Sequence, residues 1–215
     1  EIIKQNDTLN KNKLSAYNKI LFEDKYFQFY QNSPTVDFFG DIFTNDINDK
    51  VTLENFNTEL GLNYYNNILG DIGFGLSYTN INYGYGSVVL LNGNFIPNRI
   101  KSDFIGVNAS YRKKIGKFNL SGKGSLNLSE EFSGSYIDGK IDFQLNKDID
   151  VFGSINVSSQ LPNYNFLLYQ SDYINYNWYN LDNYSNVNTQ QISFGVRSPK
   201  YGNANLDISN IDNYT

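Results

Sequence analysis

From about Thr52 onward, apolar residues recur at every second position, and that period leaves few folds open. In "DIGFGLSYT", Ile72, Phe74, Leu76 and Tyr78 fall on one side, while Asp71, Gly73, Gly75, Ser77 and Thr79 fall on the other. A repeat of two belongs to the β-strand, whose successive side chains leave opposite faces of the sheet. "DFIGVNASYR" sets Ile105, Val107, Ala109 and Tyr111 against Gly106, Asn108, Ser110 and Arg112. "FNLSGKGSLNL", "IDGKIDFQL", "VFGSINVS", "QQISFGVRS" and "ANLDIS" continue the pattern, and "FNTELGLNY" adds Phe56, Leu60, Leu62 and Tyr64. The expectation is an all-β chain with about eight strands across residues 51–215.

The links alternate as well. Short ones around "YNNILG", "KKIGK", "NKDID" and "PKYGN" are separated by long ones near Asn80–Ser102, Ser129–Tyr136 and Ser159–Asn188. Short turns on one rim and long loops on the other describe an antiparallel up-and-down meander, the pattern of an outer-membrane β-barrel. A soluble β-sandwich also alternates, but its long and short links need not segregate so regularly. Here the faces opposite the apolar ones carry Gly, Ser, Thr and Asn with few Lys or Glu. Such a face suits a water-filled lumen better than an open surface, with lipid against the apolar side.

Composition narrows the chemistry. The 215 residues contain no Cys, Met or His, which excludes disulfides, thiolates and imidazole bases or ligands. A net charge of −5 with 18% charged residues argues against a nucleic-acid partner, which calls for a basic face. No apolar run is long enough for a transmembrane helix. The mean hydropathy of −0.47 is what an alternating barrel would average to. "EIIKQNDTLN" is not a signal peptide, so the leader has been removed or the chain begins inside a longer protein.

Residues 1–50 form a segment of unclear structure. "KNKLSAYNKILF" places Leu14, Tyr17 and Leu21 at helix-like spacing, "YFQFYQ" reads as a strand, and Pro34 marks a turn or edge segment.

The long link Leu161–Asn180 packs seven aromatic residues among asparagines without strict alternation. The block "PNYNFLLYQSDYINYNWYN", followed by "YGNANLDISNIDNYT", resembles a porin family of Bacteroidota outer membranes. The matching positions are Pro162, Asn163, Tyr164, Phe166, Leu168, Tyr169, Gln170, Ser171, Tyr173, Tyr176, Asn177 and Trp178, and "YRKKIGKF" and "NYGYGS" are similar too. The resemblance spans about Asn45 to Thr215. It implies a transmembrane outer-membrane β-barrel, of which this chain looks like an internal piece, ending without a terminal aromatic strand. A wider barrel than eight strands also suits the small inward residues, which would underfill a closed eight-stranded interior.

Parity assigns Glu59, Asp71, Arg112, Lys123, Asp138, Lys140, Asp142, Arg197 and Asp207 to the wet face as pore-lining charges. Their near balance of sign predicts weak ion selectivity, and cross-strand pairing that merely solubilises the wall is the alternative. The aromatic loop is expected to pack onto the rim or into the lumen, with carbohydrate capture by the same rings as the sharper option.

Other motifs dissolve on inspection. "GYGSVV" lacks the third Gly of a dinucleotide fingerprint, and "SGKGS" has Gly124 where a phosphate loop needs Ser or Thr. "DINDKVTLENFN" has Lys50, Val51 and Asn57 where a calcium loop needs a ligand, a Gly and a Glu. Asp138 and Asp142 could form a two-carboxylate pair, but Lys140 between them reads more simply as charge balance. No enzyme, cofactor or metal site is expected.

The leading expectation is a channel for passive diffusion of small polar solutes, with membrane lipids and solutes or ions as partners. A homo-oligomer or larger outer-membrane complex is left open. The alternative is a soluble or surface β-sandwich, lectin-like, that binds through the loop.

Overall fold

The computed structural model describes residues 2–4 and 12–214. Ten strands form one sheet: β1 (Ile2–Lys4), β2 (Lys13–Gln31), β3 (Ile47–Asn66), β4 (Gly70–Tyr85), β7 (Arg99–Ile115), β8 (Phe118–Leu128), β9 (Gly134–Asn146), β10 (Ile149–Gln160), β13 (Val187–Ser198) and β14 (Gly202–Asp212). Each pairs antiparallel with the sheet strand before it in the chain, so the sheet is an up-and-down meander. It is open among the described residues, with β1 and β14 at its edges. Two small hairpins sit outside it: β5 (Val89–Leu91) with β6 (Asn94–Ile96), and β11 (Leu168–Tyr169) with β12 (Trp178–Tyr179). The first turns at Asn92-Gly93, where both residues have positive φ (52° and 82°), the backbone a tight two-residue hairpin demands. Short helices α1 (Val36–Phe39) and α2 (Tyr164–Leu167) lie in two of the longer links.

The register places the alternation on one continuous surface. Leu60 of β3 faces Leu76 of β4, which faces Val107 of β7, which faces Leu126 of β8. Lower on the sheet, Ile155, Ile192 and Ile208 continue the same face across β10, β13 and β14. These side chains are open rather than packed: Leu60 is 63% exposed, Leu76 50%, Phe194 56% and Ile208 61%. No second sheet covers them among the described residues. Apolar residues in water would collapse together, and nothing among the described residues gives this face such a partner.

The partner positions also slip steadily. Tyr65 near the end of β3 leads through Asp71, Arg112, Ser121, Lys140, Ser154 and Ser193 to Asp207, midway along β14. A line perpendicular to the strands thus begins at the short-turn rim and ends in mid-strand. This stagger is the shear that strands need in order to tilt around a barrel axis.

In the first fifty residues the structure decides what the sequence leaves unclear, and "YFQFYQ", read as a strand, is the end of β2. Lys13–Gln31, where Leu14, Tyr17 and Leu21 have helical spacing, is the 19-residue strand β2. It pairs with β3 along its whole length, from Lys13↔Tyr65 to Gln31↔Ile47. That partner is tens of residues away, so local spacing could not reveal it, and tertiary pairing overrides the local pattern. "NYGYGS" likewise belongs largely to the end of β4 rather than to a loop.

The early strands are longer than a bilayer requires. β3 has 20 residues and β4 16, against about 9–11 for a tilted membrane strand. Along the extra length of β4 the polarity inverts. Ile81, Tyr83 and Tyr85 stand on the otherwise polar face and are buried, while Asn80 and Asn82 take the outer face. This inversion creates the floor on which the aromatic loop rests.

Candidate functional site

All nine residues assigned by parity to the wet face lie on one side of the sheet, opposite the apolar surface. Several meet opposite charges as direct cross-strand partners: Lys19↔Glu59, Asp71↔Arg112, Lys123↔Asp138 and Asp150↔Arg197. Arg112 Nη2 donates to Asp71 Oδ2 at 2.8 Å. Asp142 accepts a hydrogen bond from Arg197 and forms an ion pair with Lys140 at 3.3 Å. Asp207 accepts Asn205 Nδ2 at 2.5 Å. Half-exposed pairs of this kind contribute at most about 1 kcal/mol, so they set the charge of the wall more than they hold the fold.

Two aromatic rings lie along this wall where glycines make room. Tyr17 crosses its partner Gly61 and donates to Glu59 Oε1 at 2.5 Å, while Lys19 Nζ stands 3.5 Å from Glu59 Oε2. A Cβ on Gly61 would overlap the Tyr17 ring. Phe152 lies over Gly195 in the same way, with the Arg197 guanidinium 4.7 Å and the Lys140 ammonium 5.6 Å from its centroid. Each cation gains from the ring quadrupole as well as from Asp142. Gly61→Val is expected to displace Tyr17 and cost about 1–3 kcal/mol through overpacking, read as a lower urea midpoint.

The link between β10 and β13 folds over the same face at the long-loop rim. Leu167 and Leu168 are fully buried against Ile81, Tyr83, Tyr85, Ile100 and Phe132, with Val51, Leu53 and Phe104 around them. Tyr164 stacks on Tyr83 at 5.1 Å, Tyr169 stacks on Trp178 at 4.8 Å, and Tyr85 meets Tyr169 edge-on at 6.1 Å. Pro162 is buried at the loop's entry, and the carbonyl of Asn163 accepts the Phe166 N–H at 2.9 Å to close the first turn of α2. Phe166 is 37% exposed on the outside of that turn. Trp178 Nε1 donates to the Asn165 carbonyl at 3.1 Å.

The second half of the block is a polar clamp. The Asn177 amide accepts the Ser171 N–H at 3.1 Å and donates to the carbonyls of Ser171, Tyr173 and Ile174 at 3.0, 2.8 and 3.2 Å. One buried side chain thereby satisfies a whole turn, as buried backbone groups require. Ser171 Oγ donates to Asp49 Oδ2 at 2.6 Å, and the Asp172 N–H donates to Asp49 Oδ1 at 2.7 Å. Burial raises the Asp49 carboxyl above its ordinary range, an effect these two bonds oppose. The Tyr173 hydroxyl donates to Gln31 Oε1 and accepts the Thr35 N–H, both at 2.9 Å. Tyr176 and Tyr173 both pack against Phe39, at 5.9 and 5.1 Å.

The loop's anchors include Gln31, Thr35, Phe39 and Asp49, which sequence reading did not single out. Their contacts span more than 120 residues, and no local signal marks them. The segment around Asp49, tested above as a calcium loop, is strand β3, and Asp49 is occupied by the Ser171 hydroxyl and the Asp172 N–H. Among the described residues no acidic group forms a metal-ligand cluster, and no helix is long and apolar enough to cross a membrane.

Comparisons with curated proteins and with solved structures give no match. A family model described as "Putative porin" matches residues 3–215, somewhat more than the stretch from Asn45 that carries the visible motifs. The strands before Asn45 therefore fall within the same match, in keeping with their place in one unbroken sheet. On that match, which takes in almost the whole chain, this protein belongs to that family.

Proposed function

We propose that the protein forms part of an outer-membrane channel for passive diffusion of small polar solutes. The observation that supports this most is the inverted surface: a face of Leu, Ile, Val and Phe left largely open, with a polar face of paired charges behind it. Lipid chains against the first face and water against the second satisfy both without a dry core. Membrane lipids are then its obligatory partners, and solutes or ions its transient ones. Passage is decided by lumen width and by the wall charges, chiefly Glu59, Asp71, Arg112, Lys123, Asp138, Lys140, Asp142, Arg197 and Asp207.

The test begins with partitioning: the protein should require detergent and run heat-modifiably on a gel. The full-length protein in planar bilayers should then give stepwise single-channel currents. A protein that stays monodisperse in plain buffer, or bilayers that never conduct, would count against the channel.

Wall charge gives a second readout. Asp142→Asn removes the carboxylate shared by Lys140 and Arg197 and makes this part of the face one charge more positive. The reversal potential in a salt gradient is expected to move toward anion preference, and Lys140→Gln to move it the other way. Unchanged potentials in both variants would remove these residues from the ion path.

A further inference from the structure

Beneath the folded loop lies a cavity of about 380 Å³ on the polar face, bounded by β4, β7, β8, β9, β10 and the loop. We propose that it is a binding subsite for a neutral mono- or disaccharide, a deepening of the channel reading above that rests on it. The cavity falls within the ~300–1,000 Å³ typical of small-ligand sites. Its walls combine the rings of Phe104, Phe132, Tyr136 and Tyr164 with the amides of Asn127 and Gln160, several serines, and no charged side chain.

That mixture selects a ligand. A pyranose has apolar C–H faces that rest on aromatic rings and a rim of hydroxyls that needs amides and hydroxyls in return. A purely apolar ligand would leave much of that polar lining without a ligand partner, and an ion would lose its hydration where no lining side chain is charged. The rings are fixed before any ligand arrives. Phe104 and Phe132 stack at 5.9 Å within 11° of parallel, Tyr164 is held by Tyr83, and Lys123 sits 5.3 Å over Tyr136. Such preorganisation lowers the cost of binding.

The position fits transport as well. Ser125 and Tyr136 also line a second cavity, of about 300 Å³, whose other walls include Tyr17, Lys19, Glu59 and Lys123. A saccharide leaving the subsite therefore passes directly onto the charged wall. The rings of the subsite are mostly not those of the aromatic block at 162–180: of the four, only Tyr164 belongs to it.

The decisive experiment is calorimetric titration of the full-length protein with maltose, cellobiose and lactose, in a detergent without a sugar headgroup. At least one disaccharide is expected to bind saturably, and Tyr136→Ala to weaken it tenfold or more while Tyr136→Phe restores it. Gln160→Ala, at an exposed strand end, should weaken it several-fold without endangering the fold. No saturable heat with any of the three, an equal response to sorbitol, or binding untouched by both Tyr136→Ala and Gln160→Ala would overturn the proposal. Titration needs no open channel, so its failure is separate from failure of the channel. Conducting bilayers with no sugar binding sink the subsite alone, and sugar binding without conductance sinks the channel alone.

Discussion

Leu76→Arg is expected to destabilise the membrane-inserted protein by about 2–4 kcal/mol, the cost of a lipid-facing charge near the bilayer centre. Leu76 is half exposed and sits between Leu60 and Val107 in the middle of the apolar surface. Its chain neighbour Ser77 lies on the other face, directly across from Glu59. Ser77→Lys, partly exposed on the polar face with a carboxylate opposite, should therefore change stability by no more than about 1 kcal/mol. The measurement is the urea midpoint for folding into lipid vesicles, with both variants beside the unmodified protein. Two adjacent residues with opposite outcomes are the signature of lipid on one side and water on the other. Equal tolerance of both charges would mean that the apolar face does not meet acyl chains.

The second large effect concerns the folded loop. Leu168→Ala should weaken docking by about 2–5 kcal/mol, because Leu168 is wholly buried under the rim and its removal leaves a cavity. Asn177→Leu attacks the same unit by other means, since it strips partners from the Ser171 N–H and three carbonyls. Each buried group left unpaired costs about 1–3 kcal/mol. Both variants are expected to expose residues 161–186 to limited proteolysis. Both should also raise single-channel conductance, because the loop rests on the polar face that the proposal gives to solutes. Proteolysis without any change in conductance would place the loop outside the path.

The loop also illustrates what a single sequence can and cannot reveal. Its aromatic density was visible, and so was the resemblance that its spacing carries. The reason for that spacing was not. Asn177, an ordinary residue in an asparagine-rich chain, closes the turn, and Asp49 is reached only because β3 brings it under Ser171. The charges on the polar face are more legible. Parity alone put Asp71 and Arg112 on one face, since side-chain direction in a strand depends only on odd or even position. That Arg112 pairs with Asp71, and Lys19 with Glu59, needed the register between strands. Residues 13–31 are locally ambiguous, with helix-like spacing at Leu14, Tyr17 and Leu21 beside a strand pattern at "YFQFYQ", and 19 paired positions with β3 decide for one strand.

The sequence by itself determined the all-β class, the meander and which side of the strands after residue 51 is apolar, because all three follow from a repeat of two and from link length. Only the tertiary structure decided where the polarity inverts at Ile81, Tyr83 and Tyr85, what the aromatic block grips, and that a cavity opens beneath it. Those features arise from residues far apart in the chain, and their contacts exist only once the strands have fixed their register.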